Sequence, residues 1–250
     1  MASFQTQIMG LTDLSISSSG TNPTEAQLTQ FLTDGAKEVI NQLPGHLLPL
    51  CASSNTFTSG SAETLVTGKI LNVFRSDGDV NQPCRKIPAK QKGRVSDPEE
   101  MAYATITDPV FFIDNNSLDV LPSGGSCSYS AVAYPAVAYS ASAITAFPNE
   151  AEHLVVLYGA IKSLQNILGS MNSSIVHSDQ DGSYSASSSS SQGWEKVRDY
   201  IQSDEDIELS GASLSSLSSE MQQFMQEYQW YEKQQSKLQS DYEKGLQALG

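Results

Sequence analysis

Glu150 and His153 stand three residues apart in an E-x-x-H pattern, a spacing that puts a carboxylate and an imidazole on one face of a helix. In carboxylate-bridged two-metal bundles the unit recurs on a second helix, and facing helices add two further glutamates. The other histidines here are His46 and His177, and neither has that context. The pair therefore reads as a helix-start acid and a helix histidine satisfied by its surroundings. Asp77, Asp79 and Asn81 imitate the opening of a calcium loop, but Gln82 stands where the loop needs glycine and Pro88 where it needs glutamate. A hairpin turn is the better reading, and HSDQDG fails already at its first position, His177. GSAETLVTGK ends in Gly68-Lys69, yet its glycines are too far apart for a phosphate loop and Ile70 follows where Ser or Thr would hold magnesium. GGSCS, residues 124–128, lacks the closing glycine of a nucleophile elbow and lies among β-rich runs. Sequons at Asn115 and Asn172 matter only in a secreted chain. No catalytic, cofactor-binding or metal-binding residue is predicted, and the chain is not expected to be an enzyme.

What remains is a charge anomaly. RKIPAKQKGR, residues 85–94, holds five of the fourteen basic side chains (Arg85, Lys86, Lys90, Lys92 and Arg94) in a chain of formal charge -14. The acidic balance argues against general nucleic-acid binding, because phosphate contacts need a basic face. Single-sign clustering inside a chain of opposite sign points instead to a protein contact.

The elements that must carry this segment are readable from periodicity. Thr24 and Gln27 form a capping box, apolar residues from Leu28 to Leu43 keep helical spacing, and Pro44 ends the run, which predicts a helix over 25–43. Gly35 in its middle predicts close packing against a neighbour. From about 56 to 140 short β-rich runs alternate with turns, two hairpins turning at Asp77-Gly78 and Asn115-Asn116, with prolines that mark edges or bulges. Between the second and third runs, RKIPAKQKGRVSDPEE reads as a projecting loop. FPNEAEHLVVLYGAIKSLQNILGSM is apolar nearly all round and predicts a buried central helix. A Ser-rich tract follows, with seven serines among residues 183–191, whose composition is that of a linker and which burial between subunits would order. After a short amphipathic segment around Trp194, Val197 and Ile201, a long helix runs from about Ser213 to Leu249. Its stripe steps by three and four residues through Phe224, Tyr228, Tyr231, Leu238 and Tyr242, and should lie along a wide surface.

The expected fold is thus α+β: a helical bundle with a long C-terminal helix and an inserted small antiparallel β-sheet or barrel. The regions expected along the chain are an N-terminal helical region (1–55), a β-rich insertion (56–140), a central buried helix (141–172), a Ser-rich connection (173–192) and a C-terminal helical region (193–250). No signal peptide or membrane span is predicted. Cys51, Cys84 and Cys127 form no CxxC pair and cannot all pair with one another, which fits a reducing compartment.

This order of elements resembles the head-to-tail connector, or adaptor, proteins of tailed bacteriophages. The stretches that carry the likeness are FLTDGAKEVINQLP, FPNEAEHLVVLYGAIKSLQNIL and EMQQFMQEYQWYEKQQSKLQSDYEKGL. The resemblance implies a structural virion protein, assembled in the host cytoplasm into a ring, commonly twelve-fold. Such a ring would sit between the portal protein and a tail or nozzle protein and line the DNA passage, with at most non-specific contact to DNA. On this reading the five basic residues and the aromatic stripe of the last helix contact partners. Other readings are another virion component, such as a tail terminator or minor capsid or tail protein, and a non-viral interaction module.

Overall fold

The computed structural model describes residues 2–18, 23–65, 67–180 and 207–249. The Ser-rich tract beyond 180, the segment around Trp194 and most of the acidic run SDEDIE lie outside the described residues. The chain is α+β and divides into two compact units, residues 1–35, 137–143 and 153–248 in one, and 36–136, 144–152 and 249–250 in the other.

In the first unit the helices follow local signals. Helix α1, Phe4–Thr12, is capped by Ser3, whose hydroxyl accepts the Thr6 N–H, and it buries Phe4 and Ile8. Phe4, Ile8 and Leu11 keep helical spacing, but over nine residues the run is too short to be read with assurance from sequence. Helix α2, Glu25–Gln42, forms the expected capping box: Thr24 Oγ1 accepts the Gln27 N–H at 3.2 Å, and Gln27 Oε1 accepts the Thr24 N–H at 2.9 Å. Helix α4, Asn149–Gln180, and helix α5, Ile207–Leu249, both outrun their expected limits. Small residues set their spacing. A Cβ on Gly35 would meet Tyr158 Cδ1 at 2.8 Å, one on Gly159 would meet Ile8 Cδ1 at 2.8 Å, and one on Gly245 would meet Leu154 Cδ2 at 2.5 Å. Gly35 therefore marks close packing, as its place in the pattern implied. Tyr158 and Tyr242 stack obliquely at 6.1 Å while Leu154 meets Gly245, so α5 returns antiparallel along α4. By length and composition alone Asn149–Met171 is apolar enough to cross a membrane, but half of it is buried within the chain, which is how a core helix behaves.

The second unit holds two four-stranded sheets. One has the order β1 (Ala52–Thr58), β8 (Ser126–Val132), β3 (Ile70–Ser76), β4 (Asn81–Pro83), all antiparallel. The other has the order β2 (Glu63–Thr64), β7 (Ser117–Leu121), β6 (Val110–Asp114), β5 (Arg85–Lys86). Val73, Cys127, Tyr129 and Ala131 from the first meet Phe111, Leu118 and Val120 from the second in one buried cluster. Asn115 and Asn116 turn the β6–β7 hairpin with φ of 46° and 61°, the left-handed pair a tight hairpin needs. Asp77 turns β3 into β4 by accepting the N–H groups of Asp79 and Val80.

Two expectations fail here. The β5–β6 pairing is parallel, so the second sheet is mixed rather than antiparallel. The connection after β4 is not a projecting loop. It contains β5, a 3-10 turn at Ala89–Gln91 and helix α3, Lys92–Ser96. Ile87, Val95 and Ala104 then bury themselves with Val110 and Phe112 on the outer face of the mixed sheet. This explains the unbroken apolar run VFFID: Phe111 and Ile113 face the inter-sheet cluster while Val110 and Phe112 face this cover.

Candidate functional site

The five basic side chains lie on the outside of the cover, and three are matched locally. Arg85 pairs with Asp108 at 3.0 Å and Arg94 with Glu100 at 3.3 Å. Lys92 reaches Asp119 at 3.6 Å and lies 5.1 Å from the centre of the Phe112 ring. Lys86 and Lys90 are exposed and have no acidic partner among the described residues. Asp108 and Asp119 come from distant strands or turns, so nothing in the local sequence revealed that the cluster is half neutralised.

The stripe on α5 changes character along its length. Tyr231 and Leu238 are buried, and Tyr242 lies half-buried against Tyr158. Burial and the neighbouring Glu227 carboxylate both push the Tyr231 phenol up from its ordinary range. Further toward the amino end Phe224 and Tyr228 are half-exposed, and Met221 and Met225 are 62% and 51% exposed. Helical spacing puts Met221, Phe224 and Tyr228 on the stripe that is buried lower down, while Met225 lies about a third of a turn off it. Trp230, 45% exposed, was not among the expected stripe residues and lies off that face. The basic cluster and the stripe belong to different compact units.

The residues that first invited chemistry are placed as follows. His153 Nε2 lies 3.2 Å from where a Cβ on Gly245 would stand, so the ring packs at the α5 end. Glu152 accepts the Ile144 N–H at 2.7 Å, a structural bond at the start of α4. Among the described residues no three of His, Cys, Asp and Glu gather as a metal site. His177 belongs to α4.

Sequence reasoning missed Arg75, which is only 4% exposed. Its Nε–H donates to the Pro122 carbonyl at 3.0 Å, its guanidinium presses on Gly125, and Nη1 has no partner among the described residues. Close by, burial drives the Cys84 thiol up to about 12, Cys127 raises it further, and Arg75 opposes the shift. Burial raises Cys51 and Cys127 as well. Thiols held in this way are weak nucleophiles.

A cavity of about 230 Å³ opens beside β1 and is lined by Ser53, Asn55, Leu65, Thr67, Tyr129 and Ala131, among others. Its groups are hydroxyls, an amide and apolar side chains, without an acid–base pair. No known protein-family model and no curated protein matches the sequence.

Proposed function

We propose that the chain is a structural virion protein, an adaptor that forms a ring between portal and tail, lines the DNA passage and assembles through its long helix. The observation that carries this reading is the uneven stripe of α5. Its lower half packs at Tyr231 and Leu238, whereas the same stripe higher up leaves Met221 62% exposed and Phe224 and Tyr228 half-exposed. On this reading the first unit is a helical bundle completed by neighbouring subunits, since apolar surface on an ordered helix calls for a partner. The -14 charge supports a passage through which DNA phosphate slides without sticking. Lys86 and Lys90, exposed and unpaired among the described residues, are the basic side chains left for an acidic surface of a neighbouring protein.

Cross-linking of intact particles, followed by mass spectrometry, tests the reading. It expects peptides from residues 221–242 joined to a portal subunit and to other copies of this chain. Links confined to capsid or distal tail proteins would move the chain elsewhere in the particle. No links at all would refute a virion role.

A further inference from the structure

The two sheets have four lateral edges, and three are blunted. β4 is three residues long and ends in Pro83, while β2 and β5 have two residues each. Short strands and proline are ordinary means of keeping sheet edges from pairing with other chains. The fourth edge, β1, has none of them. It runs seven residues, ASSNTFT, without charge, proline or glycine, and residues 53–56 are all exposed.

Its hydrogen-bonding phase is fixed by two contacts with β8 and its extension. The Ala133 N–H donates to Cys51 O, and the Ser59 N–H donates to Gly125 O. With the register Ala52↔Val132 to Thr58↔Ser126, odd-numbered residues of β1 bond to β8 and even-numbered ones point main-chain groups away from the sheet. Two of those outward groups are already used: the Ala52 N–H bonds to Pro49 O, and Thr58 O accepts the Ser61 N–H. Among the described residues the open set is therefore Ala52 O, both groups of Ser54, both groups of Thr56, and the Thr58 N–H.

This set is its own complement. Antiparallel pairing about a twofold axis at Asn55 sets Ser54 opposite Thr56 of a second copy, where each exchanges both bonds. It also sets Ala52 O against the Thr58 N–H of that copy, and every open group is satisfied. Residues facing one another are uncharged throughout, so two copies of an acidic chain meet where neither repels the other. The side chains of Ser53, Asn55 and Phe57 stay on the inner face of their own sheet, where Ser53 and Asn55 line the 230 Å³ cavity and Phe57 stacks edge-on with Tyr129, so strand addition leaves them in place.

We propose that β1 is a homodimerisation edge that joins two copies through antiparallel strand addition centred on Asn55. The pairing is isologous and does not depend on the adaptor reading. It would stand if no portal contact were found.

Sedimentation of the full chain tests it, with an expected mass twice the 26.9 kDa of the single chain. Ser54→Pro removes an N–H that points away from β8 and the exposed Ser54–Ser130 hydroxyl contact of 3.2 Å, so the sheet keeps its main-chain ladder and the variant should sediment as a monomer. Register is read independently. Asn55→Cys should form an intermolecular disulfide under mild oxidation, since residues facing across a non-bonded pair lie within disulfide reach. Thr58→Cys, opposite Ala52, should not. A monomeric wild type overturns the proposal, as does a dimer that survives Ser54→Pro or cross-links as readily through position 58. If Ser54→Pro fails to fold, the two cysteine variants decide the matter alone.

Discussion

Residues 85–109 and residues 52–58 belong to the same unit and invert what their compositions announce. The first stretch advertises itself with five cations, yet it is held down by Ile87 and Val95 and spends three of its charges on Asp108, Glu100 and Asp119. The second is a bland run of Ser, Asn and Thr, yet among the described residues it forms the longest edge strand of the two sheets. Charge is a property of residues and is visible in any sequence. Whether a charge is already matched, or a main-chain group still open, depends on what the fold brings alongside.

The largest effect should come from the cover's anchor. Phe112 is 1% exposed and supports both Val95 and the Lys92 stem, so Phe112→Ala should cost about 3–5 kcal/mol in urea unfolding. If it costs no more than a surface change, the cover is not packed and the contrast with β1 collapses. In the other unit, Gly35→Leu should cost about 1–3 kcal/mol, because even its Cβ would stand 2.8 Å from Tyr158 Cδ1. A neutral or stabilising result would mean that α2 and α4 are not in contact there.

Cys84 gives a pH test of the inter-sheet cluster. Its thiol keeps its proton up to about 12 in the fold, whereas the unfolded chain releases it near 9. Between those values the unfolded state binds fewer protons, so stability must fall as pH rises from about 9 and be unaffected by this group below that. Thiol reagents at pH 8 should label the half-buried Cys84 more slowly than a free thiol because its thiolate is scarce, and labelling at the free-thiol rate would contradict its raised pKa. The smallest effect is expected from the charges themselves. Arg85→Gln or Arg94→Gln breaks an exposed pair and should change stability by less than about 1 kcal/mol. Lys86→Gln and Lys90→Gln should leave stability unchanged while weakening assembly in a salt-sensitive way. Unaltered assembly would leave the cluster with no role beyond the cover.

How much could be read beforehand differed by element. The capping box at Thr24 and Gln27, the turn at Asn115-Asn116 and the amphipathic stripe of α5 are local patterns, and the structure contains each of them. α1 escaped because Phe4, Ile8 and Leu11 keep helical spacing over only two turns. β1, which starts at Ala52 ahead of the first expected strand, escaped because exposed edge residues need no apolar alternation.

The sequence by itself determined where α2 starts, where the Asp77 and Asn115-Asn116 hairpins turn and which residues are apolar, since these follow from side-chain chemistry over a few neighbouring positions. Only the tertiary structure decided that Phe111 and Phe112 face different clusters, that Arg75 sinks beneath Gly125, and that three of five cations find carboxylates. These outcomes join residues far apart in the chain, and no local pattern encodes which distant group will arrive.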